Sequence, residues 1–328
     1  MTISPESAAP DTLGGIGESA VLARIFPRLP AAASALLGPG DDSAVVAAPD
    51  GRFVVTTDMM IHGPDFRLAW STPHDLGWKS AASNLADVAA MGAVPSALVV
   101  AIAAPADSAV SLLEGIADGL RDACESLAPG CGVVGGDLSV STTLTIAVTA
   151  FGDLEGRPPV LRSGASPGDI VAVAGVLGEA AAALRLLFTD AVDASGRPDA
   201  ALGTALRPRT APQLAPTPPI AAGRTAALAG ATAMLDLSDG LAIDSARLAR
   251  ASGVGIDFAS AALGQDPAVA LGGGEDHSLL ATFPPGVVLP AGFRPIGVCV
   301  EGEGLTVDGS PHDSAGWDPY RDWAGSAG

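Results

Sequence analysis

The chain has 328 residues, enough for two domains and a sizeable core. Hydrophobic residues make up 48% and aromatics only 4%, so the core is expected to consist of small side chains on closely packed helices and strands. With 36 acidic against 17 basic residues the formal charge is −19, which excludes broad nucleic-acid binding by repulsion and leaves room for phosphorylated ligands where divalent metals supply positive charge.

Cys124, Cys131 and Cys299 have no metal-ligand spacing, and a reduced cytoplasmic protein is the expectation. The longest apolar run, residues 97–104, is far too short to cross a bilayer, so no membrane partner is expected.

Residues 1–10 read as a loose tail, and residues 17–25 as a short helix that Pro27 ends. In residues 38–58, Pro49-Asp50-Gly51 joins two apolar runs, 44–47 and 53–55, which predicts a hairpin. Such a hairpin would bring Asp41 or Asp42 to the same end as Asp58. Turn formation alone accounts for this stretch, but an apolar strand stopping at Asp returns later in the chain.

Thr72 as N-cap and Pro73 at the first helical position predict a helix to about Met91, stopped by Gly92. Leu76, Leu85, Val88 and Ala89 suit its buried side, and the spacing makes Lys79, Ser83 and Asp87 a surface row. Asn84 and Asp87, one turn apart beside Ala-rich faces, are harder to assign to a surface. A strand over 96–103, a helix over 112–127 and a strand over 130–134 follow, the last ending in Gly135-Gly136-Asp137. A further strand spans 143–151, and 152–159 reads as a linker. The expected domains are therefore 1–155 and 156–328.

The second half reads as a strand over 170–174, a helix over 179–188, a loop with a weak helix over 190–219, and a helix over 223–230. A strand over 233–235 leads into Asp236-Leu237-Ser238-Asp239-Gly240, then a helix over 241–251 closed by Gly253. Capping by Ser238 or Asp239 explains one residue and leaves Asp236 over. Gly272-Gly273-Gly274-Glu275-Asp276-His277 would let backbone approach a ligand and open a helix favouring anions, or form a flexible loop. Residues 317–323 hold Trp317, Tyr320 and Trp323, expected to fold back onto the body or a ligand. The chain contains no phosphate loop of the G-x-x-x-x-G-K-[ST] type, no clean G-x-G-x-x-G fingerprint and no G-x-S-x-G elbow.

In order, Gly40-Asp41-Asp42, Thr56-Thr57-Asp58, Asn84-Leu85-Ala86-Asp87 with Ala90-Met91-Gly92-Ala93, Gly135-Gly136-Asp137, Asp236-Leu237-Ser238-Asp239-Gly240 and Gly273-Gly274-Glu275-Asp276 form a series. Each is weak alone; the ordered set resembles the thiamine-monophosphate kinase family of the aminoimidazole ribonucleotide synthetase-like superfamily, over residues 17–323. The resemblance implies a two-domain α/β (α+β) fold. Its N-terminal sheet would form a barrel with that of a second subunit in a homodimer, and a C-terminal α/β domain would follow. It implies ATP-dependent phosphorylation of thiamine monophosphate to thiamine diphosphate, the last step of that biosynthesis, with several Mg2+ ions and ATP between the domains.

By matching position, the resemblance assigns Asp42, Thr56, Thr57, Asp58, Asp87, Asp137, Asp236 and Asp239 to metal, and Asp58, Asp137 and Asp239 to catalysis. It assigns Gly136, Asp137, Arg162 and Ser238 to ATP, and Asp65, Glu275 and Tyr320 to the thiamine phosphate. Several positions depart from the family pattern. Asp65 stands where the family has His, with His62 three residues earlier; Leu138-Ser139 replaces Thr-Thr; and His277 replaces an aromatic. The family's Arg-Pro-x-Pro-Arg survives only as Pro216-Thr217-Pro218-Pro219. Sister activities fit less well, since the chain lacks the early reactive Cys of selenophosphate synthetase and the terminal Cys of the hydrogenase factor. The alternative is a catalytically altered ATP- and Mg-binding relative with another substrate or a regulatory role.

Overall fold

The computed structural model describes residues 11–38 and 44–313. The helices α1 (Leu13–Ile16) and α2 (Glu18–Ile25) lead to a small antiparallel pair, β1 (Ala35–Leu37) with β2 (Val45–Val46). Next come β3 (Val54–Ile61), α3 (Pro73–Ala90), β4 (Val94–Ala104), α4 (Val110–Leu127), β5 (Val133–Val140) and β6 (Thr145–Asp153). These four longer strands form a sheet in the order β3-β6-β4-β5, antiparallel except for the β4/β5 pair.

Local chemistry starts α3 where the sequence predicts. Thr72 Oγ1 accepts from the Asp75 N–H at 3.2 Å and the Asp75 carboxylate accepts from the Thr72 N–H at 2.8 Å, a reciprocal capping box with Pro73 in the first turn. The helix then packs very closely on α4. A Cβ at Gly77 would lie 2.0 Å from the Ile116 carbonyl oxygen, so only glycine permits this approach. Both helices cover one face of the sheet, and Leu76, Leu85, Val88 and Ala89 are buried as expected. The opposite face leaves Val55 and Met59 exposed.

The second half contains β7 (Ile170–Ala174), α5 (Glu179–Asp190), α6 (Ala200–Leu214), α7 (Ile220–Leu228), β8 (Ala233–Leu237), α8 (Leu241–Ser252), β9 (Gly255–Phe258), α9 (Pro267–Gly272), β10 (Ser278–Phe283), β11 (Phe293–Val300), β12 (Leu305–Val307) and β13 (Ser310–His312). Its sheet runs β13-β12-β9-β11-β7-β10-β8. A second core forms there, with Leu241 and Leu248 of α8 against Leu235, Leu280 and Ile296. The three cysteines are buried and free. Among the described residues no helix is long and apolar enough to cross a membrane.

Four local expectations are corrected. The 44–47 and 53–55 runs do not form a hairpin, because β3 pairs along eight residues with β6 while β2 offers only two and joins β1. Strands β3 and β5 do not stop at Asp58 and Asp137 but run on to Ile61 and Val140. Residues 200–214, expected mostly as loop, are a 15-residue helix: Asp199 caps it by accepting from the Leu202 N–H at 2.9 Å, and packing against α5 holds it despite Pro208 and Pro212. Gly272 ends a helix, and residues 273–277 are a loop into β10 rather than the start of a helix.

Candidate active site

Strand β3 alternates its side chains, placing Thr56 and Asp58 on the face that α3 covers. Thr56 Oγ1 donates to Asp87 Oδ2 at 2.8 Å, joining strand and helix. Asn84, one turn before Asp87, accepts from the Asp58 backbone N–H at 3.1 Å and donates from Nδ2 to the Ser80 carbonyl at 2.9 Å. The Asn84–Asp87 pair, conspicuous in the sequence, thus organises the β3 edge.

The second half brings its own acids to this edge. Asp236 lies near the end of β8, buried, with Oδ2 3.2 Å from His277 Nδ1. Burial pushes the Asp87 carboxyl up to about 7, helped by the negative charges of Asp236 and Asp58 and opposed by the Thr56 hydrogen bond and His277. Asp58 is open to solvent on one side, yet the protein around it raises its pKa. His277 opposes this, while Asp236, Glu275 and Asp239 add to it. Burial acts to lower the His277 pKa, but the Asp236 hydrogen bond and charge, with Glu275, outweigh it and raise it. Asp58, Asp87, Asp236, Asp239 and Glu275 therefore form an electrostatically coupled acidic group drawn from both halves of the chain.

The loop after β8 is held by α8. Asp244 Oδ2 accepts from the N–H groups of Asp239 and Gly240 at 3.0 and 3.2 Å, and Arg247 Nη1 bridges Asp239 Oδ2 and Asp244 Oδ1, each at 2.6 Å. Burial lifts Asp244 to about 6. Ser238 contributes its carbonyl, which accepts from the Glu275 N–H at 2.8 Å. A Cβ at Gly274 would lie 2.4 Å from that same carbonyl oxygen, which explains one of the three glycines. Glu275 in turn pairs with Lys79 of α3 and accepts from Gln213 Nε2 of α6 at 3.1 Å.

The remaining assigned residues are placed unevenly. Arg162, Thr56, Asp87 and Asp236 line one cavity of about 760 Å3, with Phe53 and Met91 among its apolar walls. Asp65 lies beyond the end of β3, accepting from the Ile61 N–H at 2.7 Å; burial raises its pKa, the Ile61 hydrogen bond opposes this, and the Glu275 charge adds to it. Thr57 faces the other side of the sheet, donating to the Val148 carbonyl at 3.0 Å and accepting from Thr149, so its hydroxyl does not join the acids. Asp137 is paired in register with Ala101, in line with Ala147 and Met59 on the open face, at the strand edge farthest from Asp58. Three strand spacings separate those edges, roughly 14 Å. Gly136 and Asp137 instead line a second cavity of about 570 Å3 with Ala44 and Val46. Asp42 and Tyr320 lie outside the described residues.

Among the described residues no three His, Cys, Asp or Glu side chains converge as a ready metal cage. The donor set still suits Mg2+, which takes oxygen ligands, keeps several waters and is held by one or two carboxylates at a time. Sequence spacing misplaced Lys79 and Ser83, which are buried rather than on a surface row. It missed Gln213 altogether, since a proline-rich stretch gives no hint that it becomes a helix against the Glu275 loop.

Residues 40–154 match the family model described as AIR synthase related protein, N-terminal domain. The chain is 43% identical over 341 residues to thiamine-monophosphate kinase from Mycobacterium tuberculosis, covering 98% of this chain and 96% of the relative. A crystal structure of thiamine-monophosphate kinase from Stenotrophomonas maltophilia superposes with a TM-score of 0.74 at 31% identity, covering 90% of this chain and 96% of that one. A structure of AaThiL complexed with AMPPCP and TMP superposes with a TM-score of 0.69 at 33% identity, covering 84% and 90% respectively. The shared fold, the acids assembled from both halves and this near-complete coverage lead to one conclusion: the chain belongs to the thiamine-monophosphate kinase family.

Proposed function

We propose that the protein transfers the γ-phosphoryl group of ATP to thiamine monophosphate, giving thiamine diphosphate and ADP by direct in-line displacement. The observation that carries this reading is the acidic group at the β3 edge, where burial raises the Asp58 and Asp87 pKa values and the charge of Asp236 raises both further. Such an excess of negative charge would repel two phosphorylated substrates unless metal ions stand between. Asp58, Asp87, Asp236 and Asp239, with Thr56 and the Asp42 and Asp137 segments, would hold Mg2+. Bound there, the metal supplies charge neutralisation at the transferring phosphoryl group and the leaving ADP.

The chain's own residues then have distinct tasks. Thr56 and Asn84 orient Asp87 and the Asp58 backbone, Arg247 holds the Asp239 loop, and Arg162 can offer a bidentate fork to ATP phosphates. Gly136 and Ser238 are the further ATP contacts in this reading, and Asp65, Glu275 and Tyr320 face the acceptor. The acceptor oxygen is a phosphate oxygen already ionised near neutral pH, so no general base is needed. Residues 1–155 would form the ATP- and Mg-binding, dimerising domain and 156–328 the domain that contacts substrate and nucleotide. In a cytoplasmic homodimer, the exposed sheet face bearing Val55 and Met59 would be covered by a second copy.

The reading is tested by incubating the protein with ATP, Mg2+ and thiamine monophosphate and resolving the products by chromatography. Thiamine diphosphate is expected only when all three are present. ADP formed without thiamine diphosphate would point instead to an altered relative with another acceptor.

A further inference from the structure

Glu275 adopts φ 71°, a backbone conformation uncommon for a residue with a side chain, and two other elements fix its carboxylate. One oxygen, Oε2, receives both the Lys79 ammonium from α3 and the Gln213 amide nitrogen from α6. The other, Oε1, has no hydrogen-bond partner among the described residues. Lys79 is 7% exposed and Gln213 5%, whereas the Glu275 side chain is 42% exposed, so the clamp is buried more deeply than the side chain it grips.

The amide of Gln213 cannot be reversed without setting oxygen against carboxylate, so its nitrogen is the atom that faces Glu275. That orientation leaves Gln213 Oε1 buried without a partner. An unpaired buried acceptor is unfavourable. A residue present only to fill space would not need it.

We infer that Lys79 and Gln213 are positioning residues that aim Glu275 Oε1 at the exocyclic amine of the acceptor substrate's aminopyrimidine ring. The inference rests on the function proposed above. A carboxylate can only accept hydrogen bonds, and it repels phosphate, so Glu275 suits the ring end of the acceptor and not its phosphate end. The ring amine is the conventional N–H donor of thiamine monophosphate. Two donors gathered on one oxygen hold the carboxylate rotor still and leave the second oxygen for that amine. Lys79 also offsets part of the Glu275 charge, so the carboxylate sits near an anionic substrate at less repulsion.

The test measures KM and kcat for thiamine monophosphate, for its analogue with the ring amine replaced by a carbonyl, and for ATP. The wild-type protein, Lys79→Met and Gln213→Leu are compared. The wild-type protein should favour the amine over the carbonyl by at least about tenfold in kcat/KM, because the carbonyl sets acceptor against acceptor. Each variant should lose most of that preference and raise KM for thiamine monophosphate by about tenfold, with KM for ATP held within about twofold. Equal handling of amine and carbonyl by the wild-type protein would overturn the inference without any variant needing to fold, and would leave attraction of the thiazolium charge as the role of Glu275. Variants that keep the preference, or that raise both KM values together, would overturn it as well. A wild-type protein with no turnover of thiamine monophosphate would refute the proposed function and this inference with it; turnover without discrimination would refute the inference alone.

Discussion

Asp87 shows how a single side chain sets function against stability. Its folded pKa of about 7 lies above the ordinary 3.8, so the protonated form is favoured by folding. The stability it contributes is fully present below pH 3.8 and is lost as pH rises towards and through 7. Asp87→Asn should therefore raise the Tm of the metal-free protein at pH 8, by an amount equivalent to about 1 kcal/mol after allowance for solvent screening. The same change should lower kcat by at least about a hundredfold, since a metal-facing charge is gone. A fall in Tm at pH 8, or near-normal turnover, would remove Asp87 from the role argued for it. Residues such as Asp58, Asp87 and Asp236 were legible as a set because they stand in an ordered series of short motifs that resembles a known family. Lys79 was not, because spacing shows that it shares a row with Ser83 and Asp87 but not that α6 and the Glu275 loop will cover that row.

At the scale of elements, the N-terminus of α3 is tied to α6. Arg207 grips the buried Asp75 carboxylate with both terminal nitrogens, Nη1 at 2.7 Å, while Thr72 donates to the same group. Burial acts to raise the Asp75 pKa, and the hydrogen bonds from Arg207 and Thr72 overcome it and lower it. Stability from this pair is present above pH 3.8 and disappears as pH falls through the lowered folded value. Arg207→Met should cost about 1 to 2 kcal/mol at pH 7, less than for a fully buried pair because Arg207 is partly exposed. The difference from wild type should shrink below about pH 4, where Asp75 no longer needs a cation. A penalty unchanged at low pH would mean that Arg207 acts by packing alone. Strong caps made α3 readable to the residue, whereas α6 depends on partners from α3 and α5 that no local pattern reveals. The hairpin expected at residues 44–55 failed for a related reason: β6, about ninety residues away, competes better for β3 than the adjacent run does.

At the scale of the whole molecule, one copy of the chain holds two of its assigned acids apart. Asp58 and Asp137 project from opposite faces of the four-stranded sheet at opposite edges, although both are assigned to the same metal chemistry. If a second copy delivers Asp137 to the Asp58 cluster, the inactive variants Asp58→Asn and Asp137→Asn should complement each other. Mixing and reassociation should then restore about a quarter of wild-type activity, because half of the random dimers are hybrids and each hybrid holds one intact site. No recovery after confirmed subunit exchange would place Asp137 at work within its own chain.

The central claim is phosphoryl transfer from ATP to a phosphate oxygen of thiamine monophosphate, and its most direct measurement follows the phosphoryl group itself. ATP carrying heavy oxygen on its γ-phosphoryl group would be turned over with Mg2+ and unlabelled thiamine monophosphate, and the products analysed by mass spectrometry. The account predicts all three peripheral labelled oxygens on the terminal phosphoryl of thiamine diphosphate, with unlabelled thiamine monophosphate at the inner position. Label appearing only in inorganic phosphate, with no labelled thiamine diphosphate, would contradict it.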